Sequence, residues 1–227
     1  MEGLTRKTHK DSFEQILNDL KKCGSGYTIS WEVLTAFDYE VPQDRKRLFI
    51  VGIRKDIVFN YAFPQPSSIK VTIKDAIYDL LGQAVPTKTS VTSNLDCYLD
   101  AGWSSNFMSR NRVRGWDEFA FTVPASSRHI TMHPQAPKMI RDLANKDKFK
   151  FEPGHEHLYR RFTISEVSRI QTFPDNYFKF SNINVAHKMV GNAVPCKLAE
   201  FVAKSLLTIP MTSVAKIKLT NKLKLKA

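Results

Sequence analysis

The stretch FMSRNRVRGW, residues 107–116, sets Arg110, Arg112 and Arg114 at alternate positions. Side-chain direction in an extended chain repeats every two residues, so a strand or stretched loop here points three guanidiniums one way. Like charges so placed repel one another unless something negative lies opposite. Arg128 follows in a Ser-rich loop, FAFTVPASSRHITMHP; by itself a loop arginine carries no message. A second alternating set, Gln43, Arg45 and Arg47 in VPQDRKRLFIV, stands directly before an apolar run. α/β folds place binding groups at strand ends because the sheet holds them over a cleft, and the plain alternative is a solvated, charged strand end. A third feature is Gly191-Asn192 with Pro195 in KMVGNAVPCKLAEF. Such a turn near a helix start offers backbone N–H groups to a ligand's polar edge, and serves equally as a turn and cap.

The whole chain narrows the partner. Its 227 residues suffice for one large domain or two small ones. Lys and Arg number 34 against 22 Asp and Glu, a net charge of +12, which favours a polyanion: nucleic acid or an anionic membrane surface. No apolar run approaches the ~18 residues of a membrane span, and the N-terminus lacks a signal-peptide pattern, so no membrane partner is expected. Cys23, Cys97 and Cys196 show no CxxC or Cys/His spacing. Neither a disulfide framework nor a metal site is expected, and the chain reads as a cytoplasmic protein with reduced thiols.

The elements that must position these residues can be read next. THKDSFEQILNDLKKCGSG predicts an amphipathic helix with Phe13, Ile16, Leu17 and Leu20 on one face, Thr8 as cap and Gly24 as stop. YTISWEVL predicts a strand, and RLFIVGI a strand buried on both faces. From residue 56 to about 160 prolines and short strand-like pieces dominate, with a short helix around TIKDAIYDLL, as in a smaller loop-rich domain. FTISEVSRIQTF carries a capping box, Thr163 and Glu166, ahead of a helix with Val167, Ile170 and Gln171 on its following turn. A last helix is expected from Leu198 to Leu207, before a flexible basic tail with Lys216, Lys218, Lys222, Lys224 and Lys226.

In chain order, PQDRKRLFIVGIRKD, RRFTISEVSRIQTFPD and KMVGNAVP resemble the last three sequence blocks of the DNA (cytosine-5) methyltransferases. FMSRNRVR, FTVPASSR and HPQAPKMI are similar to the target-recognition domain of the bacterial methylases that modify GGCC. The resemblance implies an α/β fold: the end of a Rossmann-like S-adenosylmethionine-dependent methyltransferase sheet plus a smaller loop-rich target-recognition domain. It divides the chain into 1–60 (catalytic), 61–180 (recognition), 181–207 (return to the catalytic domain) and 208–227 (tail). Double-stranded DNA is the implied partner and S-adenosylmethionine the implied cofactor. Arg110, Arg112 and Arg128 are expected on guanines or neighbouring phosphates, since a guanidinium fork is the commonest specific partner of guanine. Arg114 is expected to make a backbone contact or a structural ion pair. Arg47 would stand by the cytosine rotated out of the duplex, Arg45 would hold a backbone phosphate, and Gln43 completes that block. Gly191, Asn192 and Ala193 would meet the cofactor, while Thr163, Glu166 and Arg169 are structural. Two departures appear: Thr172 and Ser127 stand where glycine is common in the family and in the GGCC methylases, respectively.

The resemblance also implies a cysteine nucleophile, which the family places in Pro-Cys-Gln, a glutamate in Glu-Asn-Val and a glycine-rich loop for the cofactor. None of these motifs occurs here. The sequence therefore reads as a C-terminal half, inactive alone, that is completed by an N-terminal methyltransferase polypeptide. The alternatives are a remnant of an interrupted gene and a free-standing DNA-binding module.

Overall fold

The computed structural model describes residues 7–209. The lysine tail beyond Ile209 lies outside the described residues. Two compact units emerge: one containing the chain up to Thr35, Lys46–Pro66 and Ala199 onward, the other Ala36–Arg45 and Ser67–Leu198. The loop-rich unit is thus the larger, and it takes in residues 181–198, which were expected to return to the catalytic domain.

The first unit is a helix on a hairpin-like pair. Helix α1, Lys10–Lys22, packs on strand β1, Tyr27–Thr35, which pairs antiparallel with β3, Lys46–Arg54, in the register Trp31↔Ile50 and Leu34↔Arg47. Phe13 is buried against Trp31 with edge-on rings 5.0 Å apart. His9, not Thr8, stands at the N-cap, and makes no side-chain capping bond. Gly24, just past the helix, takes φ +55°, the conformation that ends helices and favours glycine. The expectation of a doubly buried strand is corrected: in β3 only Ile53 is buried, and residues 47–51 are half-exposed. The reason is that β3 pairs with β1 alone among the described residues.

The second unit is built from short elements. Strand β2, Gln43–Asp44, pairs in parallel with β6, Ala120–Phe121, and β4, Val85–Thr87, with β5, Cys97–Leu99. Strands β7, Ile140–Arg141, and β8, Phe149–Lys150, form a small antiparallel ribbon. The short helix expected at TIKDAIYDLL is α2, Ile73–Ile77, with a Thr72/Asp75 capping box and a 3-10 turn after it. Helix α3, Ile164–Ile170, starts at the Thr163/Glu166 box as expected. Helix α4, Ile183–Asn192, is capped by the Asn182 side chain, and α5, Cys196–Leu206, begins two residues earlier than expected. The core joins α2, α3 and α4 through Ile73, Ile77, Val167, Ile170 and Val190, with Val123, Ile130 and Phe162 from the loops. Full burial of such side chains stabilises the fold by about 1.5–3 kcal/mol each.

Thr172 has φ +60°, which explains why glycine suits this position: a β-branched residue is strained there. Its hydroxyl offsets part of that strain by accepting the Lys197 N–H, 2.9 Å away, at the start of α5.

Two buried histidines give this unit a pH dependence. His133 and His187 are fully buried, with pKa values lowered to about 2 and about 3, first by burial and then by Arg160 and Arg161 respectively. In the unfolded chain each titrates near ~6.5. Above that pH neither state binds the proton and stability is complete. As pH falls below it, only the unfolded state gains the protons, and stability is lost by up to ~1.4 kcal/mol per pH unit for each histidine. The urea midpoint should therefore fall steadily from pH 7 to pH 5, above the range where ordinary carboxylates titrate. A flat profile over that interval would contradict the burial of both rings.

Candidate functional site

Arg45 is the centre of the second unit's polar core. It is 1 % exposed and donates to the carbonyls of Val123 (3.1 Å), Gly191 (2.7 Å) and Ala193 (2.9 Å). Gln43, fully buried beside it, accepts the Val123 N–H through Oε1 at 3.2 Å. One guanidinium thus ties together the Gln-x-Arg block, the loop after β6 and the end of α4. The phosphate contact expected of Arg45 is corrected accordingly: with both Nη atoms on the chain's own carbonyls, and no exposure, it is an internal tie.

Gly191 and Asn192 are the last residues of α4, not a free turn. A Cβ on Gly191 would sit 2.5 Å from the carbonyl group of Pro124 and 2.6 Å from Ala125 Cα. Glycine is required because another backbone crosses the helix there. Gly191→Ala is therefore expected to cost at least the roughly 1–3 kcal/mol of an overpacked core, and to lower the melting temperature measurably; an unshifted melt would contradict the close approach. The Ala193 N–H already donates to Val190 O at 3.2 Å. Of the three residues expected to meet the cofactor, Asn192 is exposed, Ala193 is half-buried and Gly191 is buried.

The three alternating arginines do not share one environment. Arg112 turns inward: its guanidinium lies over the Phe107 ring and donates to the carbonyls of Phe107 (2.9 Å) and Asn106 (3.1 Å). Its pKa is lowered by burial and then by Arg110. Asn111 breaks the extended repeat, bonding both the N–H and the carbonyl of Val113 through its side chain. Arg114 takes the structural ion pair, 3.3 Å from Glu118, with its guanidinium over Phe121. Gly115 N–H, Lys138 and Arg114 together hold the Glu118 carboxyl below the usual range. Arg110 remains exposed, with no hydrogen bond or ion pair among the described residues.

Arg128 lies four residues before a residue that bridges the segment after Arg110. It sits exposed in the 3-10 turn Ser127–His129, also without a hydrogen bond or ion pair among the described residues. The segment after it pairs in parallel with the segment after Arg110: Val113 bridges Met132, and Met132 N–H donates to Arg112 O at 3.0 Å. Parallel pairing sends both arginine-bearing segments into the bridge from one end. Arg161, which sequence reading passed over, supports this region by donating to the carbonyls of Leu99, Ala101 and Gly102 and stacking 3.8 Å from the Trp103 ring centroid. Its partners are carbonyls remote in the chain, so no local pattern could have found it.

Comparison with known proteins gives the family. Residues 1–208 match the family of C-5 cytosine-specific DNA methylases. The chain belongs to that family. It is 45 % identical over 211 residues to the type II methyltransferase M.MthTI of Methanothermobacter thermautotrophicus, covering 90 % of this chain and 63 % of the relative. M.NgoPII of Neisseria gonorrhoeae is 43 % identical over 214 residues, covering 90 % of this chain and 62 % of that protein. The chain thus spans somewhat less than two thirds of these relatives. Among solved structures, a prophage-encoded DNA modification methyltransferase from E. coli shares the fold with a TM-score of 0.58 at 17 % identity, over 91 % of this chain and 67 % of that one.

Arg47, which was expected beside the rotated cytosine, is the second residue of β3 in the first unit. It is half-buried, one Nη donates to Lys46 O at 2.8 Å, and Nε is buried without a partner. Burial lowers its pKa. None of the cysteines has a nucleophile's surroundings: Cys97 is buried, Cys23 is exposed at the end of α1, and burial raises the Cys196 pKa, which disfavours the thiolate.

Proposed function

We propose that this chain is the target-reading part of a DNA cytosine-5 methyltransferase that acts at GGCC sites. The observation that carries this reading is that Arg110 and Arg128 are both exposed, without a hydrogen bond or ion pair among the described residues, and each lies three or four residues before one partner of the Val113–Met132 bridge. A guanidinium held this way is free to donate in a fork to guanine O6 and N7, worth roughly 1–3 kcal/mol of discrimination. The net charge of +12 supplies the non-specific attraction to phosphates. Arg112 acts indirectly, by bracing the turn before Arg110, and Arg114 by bracing the segment after it.

Arg47 flanks the rotated cytosine. Its charge favours electron density gathering on the ring. Gln43 and Arg45 hold the block from beneath. S-adenosylmethionine supplies the methyl group when bound. Asn192 is assigned to contact it, and its exposure at the end of α4 supports that assignment. The nucleophilic cysteine, the glutamate and the glycine-rich loop come from sequence outside these 227 residues, and the half-exposed strand β3 supports a neighbouring strand contributed with them.

Binding tests the reading directly. The chain should prefer a duplex containing GGCC over a scrambled one. Arg110→Ala and Arg128→Ala should each lower that preference by about fivefold or more. If both variants keep the wild-type preference, the assignment of these arginines to guanine is wrong.

A further inference from the structure

Arg128 must be held still to read a base, and the residues beside it hold it in an unexpected way. The chain from Pro124 to His129 is suspended between two buried anchors, Val123 and Ile130. Its first part is braced where Pro124 and Ala125 cross Gly191 near the end of α4. The turn carrying Arg128 closes on itself through His129 N–H donating to Ser126 O at 3.1 Å. One further side-chain bond fixes that turn: the hydroxyl of Ser127, buried at 3 % exposure, donates to Asn184 Oδ1 in the first turn of α4. Asn184 is in turn fixed by its own N–H, which donates to the capping Asn182 side chain at 2.9 Å.

We infer that Asn184, acting through Ser127, is a positioning residue for sequence discrimination: it orients the turn that presents Arg128 without itself touching DNA. Glycine at position 127 could not make this bond, so the serine and the asparagine act as a pair. The inference rests on the reading that Arg128 meets a guanine. Removing a contact that orders the turn leaves the arginine charged and exposed. Attraction to phosphates therefore survives, while the fixed fork geometry that a base edge demands is lost.

The test measures affinity of the full chain for a GGCC duplex and for a scrambled duplex, with wild type, Arg128→Ala, Asn184→Ala, Asn184→Asp and the Arg128→Ala/Asn184→Ala double variant. Asn184→Ala is expected to reduce the preference by about fivefold or more, the lower end of what one arginine–guanine pair confers, with scrambled-duplex affinity unchanged. Asn184→Asp keeps the acceptor oxygen and should keep the preference, whatever its charge does to affinity for either duplex. The double variant should discriminate no worse than Arg128→Ala alone. If Arg128→Ala loses discrimination and Asn184→Ala retains it, the positioning role is overturned and the reading of Arg128 stands. If wild type shows no preference, the GGCC reading falls; if Arg128→Ala changes none, the assignment of Arg128 to a guanine falls; this inference falls with either.

Discussion

Replacing Arg45 with alanine should destabilise the second unit by on the order of 3–5 kcal/mol, since hydrogen bonds to charged groups are worth ~1.5–3 kcal/mol and stranded buried carbonyls ~1–3 kcal/mol each. The carbonyls of Val123, Gly191 and Ala193 all lose their donor together, in a region where water does not reach the guanidinium they now share. Lysine should recover little. A single ammonium does not reproduce the planar spread of donors across carbonyls from three segments. Urea unfolding of wild type, Arg45→Ala and Arg45→Lys would settle the matter; a loss below about 1 kcal/mol in the alanine variant would mean the carbonyls have other donors. The variant should also blunt sequence discrimination, because the loop leading to Arg128 starts at Val123.

Glu166→Ala should be comparably severe. The Glu166 carboxylate receives two bonds from Arg160, at 2.8 and 2.6 Å, and one from the Thr163 N–H at 2.8 Å, with both partner side chains buried. Breaking a buried pair by removing one partner costs about 3–5 kcal/mol, because the surviving charge is left uncompensated. The same substitution also removes half of the α3 capping box. The diagnostic comparison is the double variant Arg160→Met/Glu166→Leu, which removes both charges and should be less destabilised than Glu166→Ala alone. If the double variant is the worse of the two, the pair contributes more than its desolvation costs.

Local signals made the regular elements legible. The capping box ahead of α3, the apolar face of α1 and the apolar runs of β1 and β3 are all encoded within a few residues of where they act. Helix α4 was missed although Asn182, Ile183, Ala186 and Val190 supply a cap and an apolar stripe, because Gly191-Asn192 read as a turn. The burial of β3 was overestimated because an apolar run reports what a strand can bury, not how many neighbours it has. The environments of the arginines were legible only in part. Alternation pointed Arg110, Arg112 and Arg114 one way, with an ion pair among the outcomes expected of Arg114; the Asn111 side chain and the Phe107 ring turn Arg112 inward while Arg110 stays exposed. Arg45 and Gly191 were both noticed, but the bond joining them spans 146 residues and no local pattern encodes it.

The most direct test of the account is methyl transfer. This chain would be co-expressed with the part of M.MthTI that it does not match, and transfer of labelled methyl from S-adenosylmethionine would be measured on duplexes with and without GGCC. The account predicts transfer confined to the GGCC duplex and abolished by Arg47→Ala in an assembled complex. Transfer indifferent to GGCC, or undiminished by Arg47→Ala, would contradict it.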